Sequence, residues 1–164
     1  MSAAAPRVAI LTVSTSRAAG AGADESGDRL ESFAGQLGGE VVAREIVSDE
    51  RPLIEERLRR YCDEERCALV LTTGGTGLAP RDVTPEATLA VAERPVPGIA
   101  EAMRLASMEH TRHWMLSRGV AAVRGRTLIV NFPGNPRSIE QTAAAIAEAL
   151  PHALALLADA PSEH

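Results

Sequence analysis

A chain of 164 residues with 45% hydrophobic content suits a single domain with a real core. The net charge of −5, from 17 basic and 22 acidic side chains, leaves no basic stripe for nucleic acid, because Arg57, Arg59 and Arg60 are interleaved with Glu55, Glu56, Asp63 and Glu64 as on a solvated helix face. The only aromatic residues are Phe33, Tyr61, Trp114 and Phe132, which argues against base-stacking platforms and predicts an aliphatic core.

Cys62 and Cys67 match no zinc or redox spacing and are read as reduced thiols. The opening residues MSAAAPR have no apolar segment of the signal-peptide kind, and no apolar run approaches the ~20 residues of a membrane span. A soluble cytoplasmic protein is expected, with no membrane or nucleic-acid partner.

Residues 7–13 (RVAILTV) are a β-branched apolar run and predict the first strand. A polar, glycine-rich loop over residues 14–27 follows, then a helix over 29–37 stopped by Gly38-Gly39. Residues 40–47 predict a second strand, and Pro52 starts a helix to about Asp63 with Leu53, Ile54, Arg57, Leu58 and Tyr61 at helical spacing. Residues 67–72 predict a third strand. Thr84, Pro85 and Glu86 suit the N-cap, first position and positive end of a short helix over 85–92. Another helix is expected over 99–110. Residues 120–123 and 127–130, joined through Arg124-Gly125-Arg126, read as a hairpin. One last helix is expected from Pro136 to about Ala158.

Strands alternating with helices predict an α/β fold, a three-layer sandwich with a mostly parallel sheet flanked by helices. Residues 1–164 read as one domain with an ordered core over about 7–158 and loose ends at 1–5 and 159–164. In such a sheet the loops after the strands gather at one edge, where ligands bind. Four polar loops qualify: Ser14 to Arg17, Ser48 to Glu50, Thr73 to Asp82, and Asn131 to Ser138.

The third of these is the most informative. Gly74, Gly75 and Gly77 let backbone N–H groups approach an anion, and a lone Asp82 follows. The loop lacks the Gly-Lys-Ser/Thr ending of a P-loop and the GxGxxG spacing of a dinucleotide fold. In the fourth loop Asn135 is a good N-cap and Pro136 a natural first helical residue, so a second helix N-terminus offers an anion site. Asp49 and Asp82 beside such cradles would repel phosphate unless a divalent cation intervenes, and Mg²⁺ binds through one or two carboxylates plus substrate phosphates. Mg²⁺-dependent phosphoryl or nucleotidyl transfer is the chemistry this suggests. The competing readings are a turn residue at Asp49, a local cap at Asp82 and a solvated loop acid at Asp24. His110 and His113 read as a solvated helix end, and Trp114 with Met115 as packing or interface residues.

TTGGTGLAPRDVTPEAT together with PGNPRS and the opening AILTVS closely resembles the molybdenum-cofactor biosynthesis family of MogA/MoaB type, which includes the G domains of gephyrin and its plant counterpart. The resemblance spans about residues 7–158. It implies a molybdopterin adenylyltransferase with ATP and molybdopterin as substrates and Mg²⁺ as cofactor. AMP passes to the molybdopterin phosphate and pyrophosphate leaves.

By this resemblance Asp49 and Asp82 match the functional, metal-holding aspartates, and Asp24 matches an acidic position of the first loop. Ser14, Thr73, Gly74, Gly75, Thr76, Gly77, Ser117, Asn131, Pro133, Gly134, Asn135, Pro136 and Ser138 fall on substrate-site segments. It further implies a homotrimer or hexamer and transient contact with the molybdate-inserting protein. One departure stands out: many active members carry an acid after the first serine, where this chain has Thr15. The alternative is therefore a non-catalytic molybdopterin-binding carrier of MoaB type.

Overall fold

Arg7–Val13 forms strand β1, with Val8 and Ile10 turned to one side of the sheet and Ala9, Leu11 and Val13 to the other. Apolar side chains on both faces of an alternating strand mark a sheet covered on both sides. The computed structural model describes residues 4–159; what the sequence suggests for 1–3 and 160–164 lies outside the described residues. After β1 come α1 (Thr15–Ala18), α2 (Glu25–Gln36), β2 (Glu40–Val47), α3 (Arg51–Asp63), β3 (Leu69–Thr73) and α4 (Thr84–Val91). β4 (Arg94–Pro95), α5 (Pro97–Ser107), a 3-10 turn at Trp114–Leu116, β5 (Ala121–Arg124), β6 (Thr127–Phe132), α6 (Pro136–Ile146) and α7 (Leu150–Ala158) complete the described chain.

The six strands form one sheet in the order β2-β1-β3-β6-β5-β4. β2, β1, β3 and β6 run parallel, and β5 is antiparallel to both its neighbours. Helices α2, α5, α6 and α7 cover one face, where Leu30, Phe33, Met103, Ile139 and Leu157 pack on Val8, Ile10, Leu71 and Val130. Helices α3 and α4 cover the other, where Ile54, Leu58, Tyr61, Ala87 and Val91 pack on Ala9, Leu11, Val70 and Ile129. This is the three-layer α/β sandwich that the alternation of elements predicts. Three of the four aromatics join the mainly aliphatic core: Tyr61 is buried, and Phe33 meets Phe132 edge-to-face at 6.0 Å.

The strand order fixes where a ligand can sit. From β1 the chain crosses one face through α2 to β2, then returns over the other face through α3 to β3, on the opposite side of β1. The carboxyl ends of β1 and β3 are therefore neighbours whose following loops diverge, and that divergence opens a crevice.

Several elements differ from the sequence reading for local physical reasons. The first loop is shorter than residues 14–27, because α1 forms within it and α2 starts at Glu25, one turn before Arg29; Asp24 caps α2 by accepting the Gly27 N–H at 3.0 Å. Thr84 is not the N-cap of α4: it lies in the helix after Val83, and its hydroxyl donates instead to the Gly74 carbonyl at 2.9 Å. Helix α5 begins at Pro97 and ends at Ser107 rather than spanning 99–110. The predicted final helix is two, α6 and α7, bent by 65°. Pro151 causes the break, since it has no N–H to offer the turn before it. Among the described residues no single helix is long and apolar enough to cross a membrane.

Candidate active site

The loop after β3 is shaped by its glycines. Gly74 (φ +93°) and Gly75 (φ +68°) take a left-handed backbone, and a Cβ on Gly74 would lie 2.3 Å from the Val13 carbonyl oxygen. No side chain fits there, so the loop lies directly against the end of β1. Thr84 ties the loop to α4 twice, by its hydroxyl bond to the Gly74 carbonyl and by its N–H to the Gly75 carbonyl at 3.1 Å. Further along, Asp82 Oδ2 accepts the Ala79 N–H at 3.0 Å while Asp82 N–H donates to the Ala79 carbonyl at 2.9 Å, closing a turn.

The loops after β1 and β2 lock together. Asp49 Oδ2 accepts from the Thr15 hydroxyl at 2.8 Å and from the Thr15 N–H at 3.0 Å, and Asp49 N–H donates back to Thr15 Oγ1 at 3.0 Å. The residue that departs from the family pattern thus holds one of the two candidate aspartates in place. Among the described residues neither Asp49 nor Asp82 pairs with a cation, and neither takes a hydrogen bond on its Oδ1.

A cavity of about 610 Å³ lies in the crevice between these loops. Ser14, Asp49, Thr73, Gly74, Gly75, Asp82 and Gly134 line it, so the structure gathers seven of the sequence-predicted positions from all four loops. A smaller cavity of about 180 Å³ lies beyond, lined among others by Ser117, Asn131, Pro133 and Ser138. The ridge between the two is Pro133-Gly134: Thr73 donates to the Pro133 carbonyl at 2.7 Å and Ser26 to the Gly134 carbonyl at 2.8 Å.

The other predicted positions line neither cavity. Asp24, besides capping α2, accepts from the Thr12 hydroxyl at 3.0 Å and from Arg44 at 3.3 Å, so its carboxylate is engaged within the fold. Thr76 is buried and Gly77 sits against Asp82. Asn135 caps α6 by accepting the Arg137 N–H at 3.0 Å, with Pro136 the first helical residue, as the sequence predicts.

The structure brings in other residues that sequence reasoning did not place in the site, Trp114 among them, which it read as a packing or interface residue. Arg81 and Thr12 line the larger cavity. Arg17, there only one letter of a polar loop, lines it too. Met103, Arg104 and Trp114 line the smaller one. The adjacency of Arg81 to Asp82 was a usable signal. Trp114 had none beyond being the single tryptophan of the chain.

A glycine loop and two cation-free carboxylates at the switch point of a mostly parallel sheet define an α/β protein with a candidate ligand site beyond the carboxyl ends of its strands. The family described as "Probable molybdopterin binding domain" matches residues 9–152, and the chain belongs to that family. It is 48% identical over 113 residues to the molybdopterin adenylyltransferase of Helicobacter pylori (strain J99), a match covering 69% of this chain and 64% of that protein. It is 40% identical over 137 residues to the molybdenum cofactor synthesis protein cinnamon of Drosophila melanogaster, covering 83% of this chain and 23% of that protein. The crystal structure of the molybdopterin biosynthesis enzyme MoaB from Thermus thermophilus superposes with a TM-score of 0.88 at 47% identity, covering 96% of this chain and 99% of that one. The chain thus spans just under two thirds of the length of its Helicobacter relative.

Proposed function

We propose that the protein is a molybdopterin adenylyltransferase. An oxygen of the molybdopterin phosphate attacks the α-phosphorus of ATP, a new P–O bond forms, the bond from that phosphorus to the bridging oxygen breaks, and pyrophosphate leaves. The observation that carries this reading is the pairing of Asp49 and Asp82 across one 610 Å³ cavity with the Gly74-Gly75 loop between them. In-line phosphoryl chemistry needs positioning and charge neutralisation more than acid or base groups, and this site offers that and little else.

The donor set fits Mg²⁺. Two carboxylates, each with an oxygen left free among the described residues, face one cavity, and substrate phosphates complete the usual shell. Among the described residues no group of three or more His, Cys, Asp or Glu could hold a metal alone, so the ion would arrive with the nucleotide. The ion would neutralise phosphate charge. The chain's own part is to offer the phosphates the Gly75 N–H of the glycine loop, to add the positive charge of Arg17 and Arg81, and to bury an aromatic ring against Trp114 and Met103.

Purified protein with molybdopterin, ATP and Mg²⁺ should release pyrophosphate and form adenylyl-molybdopterin. No product, where a related adenylyltransferase turns over, would sink the reading. The carrier alternative draws on Thr15 alone, and the Thr15–Asp49 pairing weakens it, because the hydroxyl supports the aspartate rather than leaving a gap. Tight molybdopterin binding without Mg·ATP binding, read by calorimetry, would favour the carrier.

A homotrimer in the cytoplasm, with transient contact to a molybdate-inserting protein, belongs to the same reading. Leu105, Met108, Met115 and Leu116 are each 45% or more exposed along the end of α5 and the turn after it, the kind of apolar surface that marks an interface. Light scattering that finds a monomer unchanged on concentrating would refute the assembly. The two free thiols agree with a reducing compartment.

A further inference from the structure

Arg118 is the densest polar node near the site, and the catalytic reading gives it no work. Its backbone N–H donates to the Thr76 carbonyl at 2.8 Å. Its guanidinium donates to the Gly77 carbonyl at 2.8 Å, to the Asp82 carbonyl at 2.7 Å and to the Glu86 carboxylate at 2.5 Å. The planar fork thus spans the glycine loop from its third glycine to its aspartate and fastens it to the first turn of α4. Thr84 pins only the start of that loop, at Gly74 and Gly75, and the Asp82–Ala79 pairing is internal to it. Besides Arg118, no hydrogen bond among the described residues anchors residues 77–82 to the rest of the fold.

The residues on either side of Arg118 face the other way. Ser117 and Gly119 line the smaller cavity, and Arg104, also lining it, donates to the Gly119 carbonyl at 2.8 Å and to the Ser117 carbonyl at 3.4 Å. One three-residue segment therefore forms a wall of one cavity and the clamp on the loop of the other. A ligand that orders Ser117 and Gly119 also restricts the Arg118 backbone, and with it the loop that carries Asp82.

We propose that Arg118 is a positioning residue: it fixes the segment from Gly77 to Asp82 and couples the two cavities, so that filling one tightens binding in the other. This rests on the adenylyltransferase reading for the identity of the ligands, but the clamp itself does not. Coupling of this kind is reciprocal, so either substrate can report it.

The test compares the wild-type protein with Arg118→Lys, which keeps the charge but loses the fork, and with Glu86→Gln, which loses the ion pair but keeps both carbonyl bonds. Amide hydrogen exchange at Ala79 and Asp82 should quicken roughly tenfold or more in Arg118→Lys, less in Glu86→Gln, with the β1 and β3 amides unchanged. In the wild type, molybdopterin and a non-hydrolysable Mg·ATP analogue should each tighten the other by roughly fivefold, and Arg118→Lys should lose that gain. Turnover should fall roughly tenfold in that variant, while nucleotide binding without molybdopterin stays within about twofold of wild type, since the start of the glycine loop is pinned by Thr84. A merely structural arginine would lower the melting temperature and leave the coupling intact.

Unchanged loop exchange in Arg118→Lys overturns the proposal, and so does binding of both substrates without mutual effect. If the wild type binds neither substrate, the functional reading and the coupling fall together, and the exchange data alone decide the clamp. If Arg118→Lys does not fold, Glu86→Gln decides by the same exchange and coupling measurements.

Discussion

The two edges of the sheet treat two pairs of carboxylates in opposite ways. At the amino edge, carboxylates have partners: both oxygens of Asp63 accept from Arg124 at 3.0 and 2.8 Å, and Glu65 pairs with Arg7 at 3.2 Å. At the carboxyl edge, Asp49 and Asp82 accept only from N–H and hydroxyl donors, and no cation meets them among the described residues. The amino edge also buries its reactive atoms, and burial first of all pushes the Cys62 and Cys67 thiols up to about 11. Asp24 and Glu86 at this edge do meet arginines, so the two carboxylates left open, Asp49 and Asp82, mark the place where a ligand is expected to complete the charge balance.

Neutralising the open carboxylates is the hardest way to strike this contrast. Asp82→Asn and Asp49→Asn should each lower turnover on the order of 10²-fold or more, with a melting temperature close to wild type. Near-normal rates at saturating Mg²⁺ would make both aspartates structural. The thiols probe the closed end. With pKa values of about 11 against an ordinary 9.0, both should react with iodoacetamide at neutral pH on the order of a hundredfold more slowly than a free thiol. Rapid stoichiometric labelling of the native protein would show that this edge is open after all.

Next comes the glycine loop. Gly74→Ala must move its new methyl away from the Val13 oxygen, now 2.3 Å off, and leave a positive φ. A loss of about 1–3 kcal/mol in stability is expected, with activity falling further than stability explains. Denaturant unfolding alongside a rate assay separates the two.

The smallest effect should come from Arg124→Ala, which removes a half-exposed ion pair and costs about 1 kcal/mol or less, with no change in turnover. The Arg124 hydrogen bond holds Asp63 below its ordinary value of 3.8. A depressed carboxyl pKa contributes stability above the ordinary value and loses it as pH falls through the lowered folded value. The gap between wild type and variant should therefore narrow in strong acid, leaving the share that belongs to the Arg124 bond to the Val91 carbonyl at 2.8 Å, and a gap that does not narrow would deny the ion pair any part.

Much of this layout is legible in the sequence, for reasons that can be stated. The strands of β1, β2 and β6 are written in apolar runs bounded by glycine, proline or polar turns, and a two-sided sheet leaves little room for another arrangement. Asn135-Pro136 announces a helix start because both residues act on the backbone next to them. The misread positions answer to distant partners. Thr84 has a cap's chemistry, but the Gly74 carbonyl ten residues earlier takes its hydroxyl. Asp24 looks like a loop acid until Arg44, twenty residues on, and Thr12 are brought beside it. Arg118 carries no local pattern at all, since its side-chain partners lie 32 to 41 residues away. The division of the predicted site into two cavities is hidden for the same reason, because the Pro133-Gly134 ridge exists only once Thr73 and Ser26 hold it.

The single tryptophan turns one of those cavities into an optical instrument. Trp114 lines the smaller cavity, while the lone tyrosine, Tyr61, is buried under the opposite face of the sheet with its hydroxyl on Glu45. Emission excited at the red edge of the protein band therefore comes from one indole at one site. A ring stacking on that indole should quench or shift it, so occupancy of this cavity can be followed in real time without a label.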